Sequence, residues 1–247
     1  MLCGLAYYLR LEPDALALVI CESTKHKIVP LYFTSSPVPY GDEVLILTFL
    51  DVTDSDIPIE QFVSKLAATG MVRALKIIEP VATGLIIDTV SHPIMAGRNR
   101  AIIFRDLAYR GFITGIKKQF GSGGEAFLYY EGIEAGLGFG KLHVEAAEAV
   151  GLKDPVEVFK RVSTAMIQWA GFGRLETLEL GPSGGRIAVY DSFECEAGRG
   201  EGRPCGAFLK GVIVGVLGSI FGKDFQAEEK ECIAMNQPRC VFEITEK

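Results

Sequence analysis

Four of the six cysteines in this 247-residue chain, Cys195, Cys205, Cys232 and Cys240, gather between residues 195 and 240, and only Cys3 and Cys21 lie elsewhere. Six cysteines are too few to build a disulfide scaffold at this length. Thiols grouped this way in a reducing compartment favour a metal site over structural disulfides. The alternatives are a set of free buried thiols or a Cys195–Cys205 disulfide. A fold that satisfies this clustering must bring the end of the chain back on itself. With 49% hydrophobic residues there is ample material for the core behind it.

Composition also narrows function. The net charge is −6, no run of five like charges occurs, and neither half is basic, which argues against a nucleic-acid partner. The first eleven residues carry no basic n-region, and Glu12-Pro13-Asp14 interrupts any signal-like stretch. The most apolar segment, 211–222, is shorter than the roughly 20 residues that a bilayer requires. The reading is a soluble, cytoplasmic chain without a membrane partner. Its two asparagines, Asn99 and Asn236, suggest a thermophilic source.

The expected fold class is α+β, in two domains covering 1–97 and 98–247. In the first, Glu43–Asp51 is a buried-strand run, and Pro58 suits a first helical turn. Ile59, Phe62, Val63 and Leu66 then keep helical spacing up to Gly70. Strand-like Val72–Glu79 and Leu85–Val90 follow, an order that is half of a ferredoxin-like sandwich and resembles the ACT type. Asp51, Asp54 and Asp56 are read as helix capping and solvation rather than a cation site. The segment Ser91–Arg100, with Pro, Gly and no periodicity, marks the boundary.

Beyond it, Ala101–Phe104 is predicted as a short strand. Tyr109, Phe112, Ile113, Ile116 and Phe120 then share a helical face. Ala126–Glu131 is predicted as a strand, and Gly132, Gly136 and Gly140 open a helix through Val150. Asp154-Pro155-Val156-Glu157 places a cap, a first-turn proline and a capping-box glutamate in order. The helix that follows is predicted to bury Val158, Phe159, Val162, Met166 and Trp169. Strands at Leu175–Leu180 and Arg186–Phe193 flank a glycine turn, a helix runs from Cys205 to Phe221, a short helix from Ala227 to Met235, and a last strand from Cys240 to Thr245.

Several motifs lead nowhere. Gly181-Pro-Ser183-Gly-Gly185 matches the nucleophile-elbow pattern, but a strand follows it where a helix is required and no histidine lies downstream. Gly136-Leu-Gly138-Phe-Gly140 fits neither phosphate-loop spacing and is better explained by close helix packing. The helix at 205–222 carries glycines at 206, 211, 215, 218 and 222. At roughly 1 kcal/mol each in a helix interior, these imply that something approaches its backbone closely.

The pattern Cys205-Gly-x-Phe208, Gly211, Gly215, Gly218, then Glu229-x-x-Cys232 and Cys240-Val-Phe, resembles the 4-vinyl-reductase-type domain. That family includes phenol-sensing segments of bacterial regulators and predicted hydrocarbon-binding proteins, and it is related in fold to transport-particle subunits. Tyr129-Tyr-Glu131-Gly132 with Gly136 is similar to its early segment. The resemblance implies an antiparallel sheet packed by helices over about Arg100 to Lys247. It also implies Zn²⁺ held by Cys205, Glu229, Cys232 and Cys240, with Cys195 and Glu231 as rivals for the place of Glu229. A closed four-ligand site of this kind is structural rather than catalytic.

The resemblance further implies an apolar pocket for a small aromatic or hydrocarbon ligand. The residues expected to line it are Phe112, Phe127, Tyr129, Trp169 and Phe208, with His143 available to a ligand's polar end. The functional expectation is a zinc-stabilised small-molecule binding or sensing protein with a regulatory role. A homodimer is expected through the glycine-rich or front-domain surfaces. The alternatives are a reductase acting on a vinyl-bearing tetrapyrrole, for which no nicotinamide or flavin loop is visible, and a structural interaction module.

Overall fold

A computed structural model describes residues 1–36, 41–96 and 99–247. The chain divides into two compact units, Met1–Ile103 and Phe104–Lys247. The boundary expected at Gly97–Arg98 lies outside the described residues. No described helix is long and apolar enough to cross a membrane.

Unit 1 runs β1 (Leu2–Arg10), α1 (Ala15–Lys25), β2 (Val29–Ser35), β3 (Glu43–Asp51), α2 (Ile59–Ala68) and β4 (Val72–Ile78). Its sheet is antiparallel in the order β2-β3-β1-β4, the ferredoxin-like arrangement of which the sequence reveals the second half. Leu5, Tyr7, Ile46, Leu50, Phe62 and Leu66 form its core. Gly70 takes φ +73° just past α2, where a left-handed residue ends the helix. Leu85–Val90, expected as a strand, makes only an isolated bridge between Leu85 and Ala82. Two-residue strands β5 (Met95–Ala96) and β6 (Asn99–Arg100) pair with each other. Ala101–Phe104 is not a strand either.

Unit 2 opens with α3 (Asp106–Phe120) and α4 (Ser122–Ala149), followed by α5 (Pro155–Glu157), a π turn (Val158–Ser163) and α6 (Thr164–Trp169). Next come β7 (Arg174–Gly181), β8 (Gly184–Tyr190), α7 (Phe193–Ala197), α8 (Ala207–Phe221), β9 (Phe225–Glu231), a 3₁₀ turn (Ile233–Met235) and β10 (Cys240–Glu246). The antiparallel sheet has the order β7-β8-β10-β9. The glycines at 181–185 close the β7–β8 hairpin, with Gly184 at φ +128°. Asp154 caps α5 as its position requires, accepting the Glu157 N–H at 2.9 Å.

Two segments depart from expectation. Ala126–Glu131 belongs to α4 rather than to a strand, because a four-residue period governs the whole stretch. Gly124, Leu128, Gly132, Gly136, Gly140, His143 and Ala147 form one buried face. Ala227–Met235 is mostly strand β9, despite its helix-forming Glu and Lys residues. Pairing with β10 overrides that propensity, and a bulge sets Val241 opposite Glu231 and Phe242 opposite Glu229.

The glycine cost on α8 is explained by α4. A Cβ on Gly132 would overlap the Phe208 carbonyl oxygen, and one on Gly136 would overlap that of Val212. In return, a Cβ on Gly211 would collide with the Tyr129 carbonyl and one on Gly215 with that of Ile133. The glycine face of α8 is therefore filled from within the unit and is not a surface for a second copy. Gly138, on the same helix α4, faces open space. Gly136→Ala is expected to destabilise the unit by more than about 2 kcal/mol through overpacking. Gly138→Ala should stabilise it by about 0.5–1 kcal/mol. Thermal denaturation of the two variants side by side reads this contrast.

Candidate metal centre

Five positions deliver thiols and a carboxylate to one point. Cys195 lies on α7, whose N-cap Ser192 accepts the Cys195 N–H at 3.4 Å. Cys205 directly precedes the Gly206 cap of α8, Glu229 is on β9, Cys232 follows that strand, and Cys240 begins β10. All four thiols are buried and none is in a disulfide. Donor atoms of Cys195, Glu229, Cys232 and Cys240 lie within 4.8 Å of one another.

This quartet differs by one residue from the expected one. Cys205 is not part of it, but its thiol lies against Cys195, with Sγ 4.0 Å from the Cys195 carbonyl oxygen. Glu229 reaches both sides. Its Oε1 accepts from Cys195 Sγ at 3.5 Å and its Oε2 from the Gly206 N–H at 3.0 Å. Glu231, the other rival, lies beyond the bulge, 3.6 Å from Arg239 Nε. The expected i, i+3 helical turn at Glu229–Cys232 does not exist; the end of strand β9 aims both side chains inward instead.

The acid chemistry of the cluster shows what it needs. Thiol hydrogens from Cys195, Cys205 and Cys240 converge on Cys232 and hold it far below the usual thiol range. The Cys205 thiol is pushed far up by its hydrogen bonds to Cys195 and Cys232 and by burial. Burial and the neighbouring Cys232 thiolate raise the Glu229 carboxyl to about 7. One negative charge is thus shared among donors that cannot all ionise unaided. A divalent, thiophilic cation supplies the compensation, and tetrahedral zinc accepts a sulfur-rich set with a carboxylate.

Beside this cluster lies a feature that the sequence does not disclose. Glu194 and Lys117 form a buried ion pair at 3.1 Å. Glu194 also accepts the Phe208 N–H at 3.2 Å and the Leu209 N–H at 2.9 Å, while Lys117 donates to the Cys205 carbonyl. Two carboxylates, Glu194 and Glu229, therefore satisfy the unpaired amides at the start of α8, where the helix dipole favours negative charge. In sequence, Glu194 sits among surface-like acidic residues and carries no signal of burial.

The residues expected around a ligand divide into two groups. Phe112, Phe127 and Trp169 do not face inward, being 51%, 52% and 76% exposed. In helix α4 the inward position belongs to Leu128, which rotates Phe127 out. On α3, Ile113 is buried in place of Phe112. The π turn adds a residue to the register, so Ser163 and Ile167 take the buried places expected for Val162, Met166 and Trp169. Tyr129 is half-buried beneath Lys210, whose Nζ lies 5.1 Å from the ring centre. Phe208 does pack inward, in a group centred on Tyr109. Tyr109 meets Phe193 at 4.7 Å, Phe208 at 6.1 Å and Phe172 at 6.3 Å between ring centres. The Tyr109 hydroxyl is buried with no hydrogen-bond partner among the described residues.

His143 is buried and its Nδ1 lies 3.0 Å from Ser163 Oγ. Burial lowers its pKa to about 4.

The family model of the 4-vinyl-reductase domain matches residues 186–246, a span that contains all five candidate donors. No curated protein matches the chain. The phenol-responsive sensory domain of the transcription activator PoxR, solved with phenol, aligns at 17% identity and TM-score 0.55. It covers 62% of this chain and 79% of its own, a likeness of fold. A vinyl-4-reductase family protein from Methanocaldococcus jannaschii aligns at 23% identity and TM-score 0.41, over 61% of this chain and 85% of its own. A trafficking protein particle complex subunit 3 from Naegleria fowleri, covalently bound to palmitic acid, aligns at 15% and 0.42, over 57% and 92%.

Lys117→Met, which strands the Glu194 charge, should cost about 3–5 kcal/mol in denaturant unfolding. The double variant with Glu194→Gln should recover part of that loss. For His143 the unfolded imidazole takes its proton near pH 6.5 and the folded one only near pH 4. The neutral folded form therefore stabilises fully above pH 6.5, and this contribution is lost as pH falls towards 4. In His143→Gln, the difference from the parent should vanish along that acid limb, measured by unfolding at a series of pH values.

Proposed function

Because the chain carries a 4-vinyl-reductase-type domain, we propose that unit 2 is a metal-stabilised binding domain for a small aromatic molecule, acting as a sensor rather than as an enzyme. The observation that carries this reading is the Tyr109 hydroxyl, which lies in an aromatic setting without a partner among the described residues. A buried unsatisfied hydroxyl costs about 1–3 kcal/mol, which a ligand's own hydroxyl recovers on binding. The surrounding phenyl rings offer a face to an aromatic body of that kind. In this reading Phe208 and Tyr109 contact the ligand, while Phe112, Phe127 and Trp169 do not.

Zn²⁺ is the ion that we assign to Cys195, Glu229, Cys232 and Cys240, with Cys205 standing next to it. When bound, zinc supplies structural cross-linking with no open position for substrate. The residues of the chain do the rest. Glu229 links the ion to the Gly206 amide, and Glu194 with Lys117 fixes the next amides. The start of α8 is held at the edge of the Tyr109 group, since Phe208 lies in its first turn. Reduced cysteines suit a cytoplasmic setting. Self-association, if it accompanies sensing, uses surfaces other than the α4–α8 glycine seam.

Isothermal titration of the zinc-loaded chain with phenol and with toluene tests this reading. Phenol is expected to bind saturably, Tyr109→Phe to weaken it about tenfold, and toluene to be indifferent to that change. No saturable binding by phenols, or equal binding to the parent and Tyr109→Phe, would overturn the assignment.

A further inference from the structure

In unit 1, two helices cover a sheet of four strands, and the cover falls short at the β2 edge. β2 is exposed along most of its length, with Leu31 57% and Phe33 42% exposed. Under the α1 side of that edge lies a cavity of about 190 Å³. Leu16, Ile20 and Phe33, all partly exposed, form its mouth. Its inner wall is aliphatic or aromatic, and no charged residue lines it.

Polar character enters only through three hydroxyls. That of Ser23 donates to the Val19 carbonyl at 2.8 Å and is spent. Those of Tyr7 and Thr48, both almost fully buried, are 3.5 Å apart, at the long limit of a hydrogen bond, and share no other bond among the described residues. A third hydroxyl between them would satisfy both at shorter range. For comparison, a dry apolar cavity of about 150 Å³ admits benzene. A carboxylate or ammonium would lose its hydration here without a counter-charge, so amino acids and fatty acids are excluded.

We infer that unit 1 holds a second small-molecule site, independent of the metal-tied domain, for a neutral branched or monocyclic alcohol of about five to eight carbon atoms. The ligand's hydroxyl lies between Tyr7 and Thr48 and its hydrocarbon body under α1.

The test uses the full chain with labelled Ile, Leu and Val methyl groups, titrated with cyclohexanol and followed by NMR. Saturable shifts at Leu5, Leu16, Val19 and Ile20 are expected, with unit 2 methyl groups unmoved. Thr48→Val should weaken cyclohexanol at least fivefold while leaving methylcyclohexane unaffected. Val19→Phe fills the chamber and should abolish the shifts. Leu16→Trp, at the solvent-facing mouth, does the same with less strain on the core. The inference is overturned if the shifts are absent or unsaturable, if they occur equally in both units, or if they survive all three substitutions. It also fails if they follow protein concentration instead of cyclohexanol, which would place a second copy of the chain in the groove.

Discussion

The amides at the start of α8 are the point on which unit 2 depends. A helix begins with four N–H groups that have no partner of their own. Here they are answered by Glu229 at Gly206 and by Glu194 at Phe208 and Leu209. Both carboxylates are tied further, Glu194 to Lys117 of α3 and Glu229 to the thiol cluster. Cys205 sits directly before this turn and Cys195 directly after Glu194. An ion in the cluster thus fixes the position of α8 relative to β9, β10 and α7 at once.

From that anchor the helix runs against α4 along a seam of glycines, where backbone meets backbone. The two devices complement each other. The seam sets how closely the helices approach but does little to fix their axial register, because glycine offers no knob. The charged and thiolate end supplies that register. Phe208, between the two, carries the consequence to the Tyr109 group. The seam requires close approach and the anchor requires desolvated charge, so neither tolerates a conservative change well.

Legibility in the sequence follows the length scale of each feature. The cysteine cluster, the Glu229/Cys232/Cys240 spacing, the β7–β8 hairpin and the Asp154 cap are all visible, because each is local and chemically specific. Cys195 is visible only as a rival, since it lies ten residues upstream of Cys205 and joins the site through a tertiary turn. Ala126–Glu131 reads as a strand because Phe, Leu and Tyr favour strands, whereas the deciding signal is a glycine period running across it. Ala227–Glu231 fails in the opposite direction, with helix-forming residues recruited to an edge strand by β10. Lys117–Glu194 leaves no sequence trace, since nothing local distinguishes a buried ion pair from two surface charges. A single π turn moves Trp169 from an expected inward position to solvent.

The central claim is that the buried thiols and Glu229 grip one ion that holds the start of α8 in place. X-ray absorption on the chain as purified, with metal quantified in the same sample, tests it most directly. The account predicts one zinc per chain, with a first shell of sulfur at about 2.3 Å and one oxygen near about 2.0 Å. Its removal by a chelator should sharply lower the unfolding temperature. A chain free of stoichiometric metal, or a shell without sulfur, with thermal stability indifferent to chelation, would contradict it.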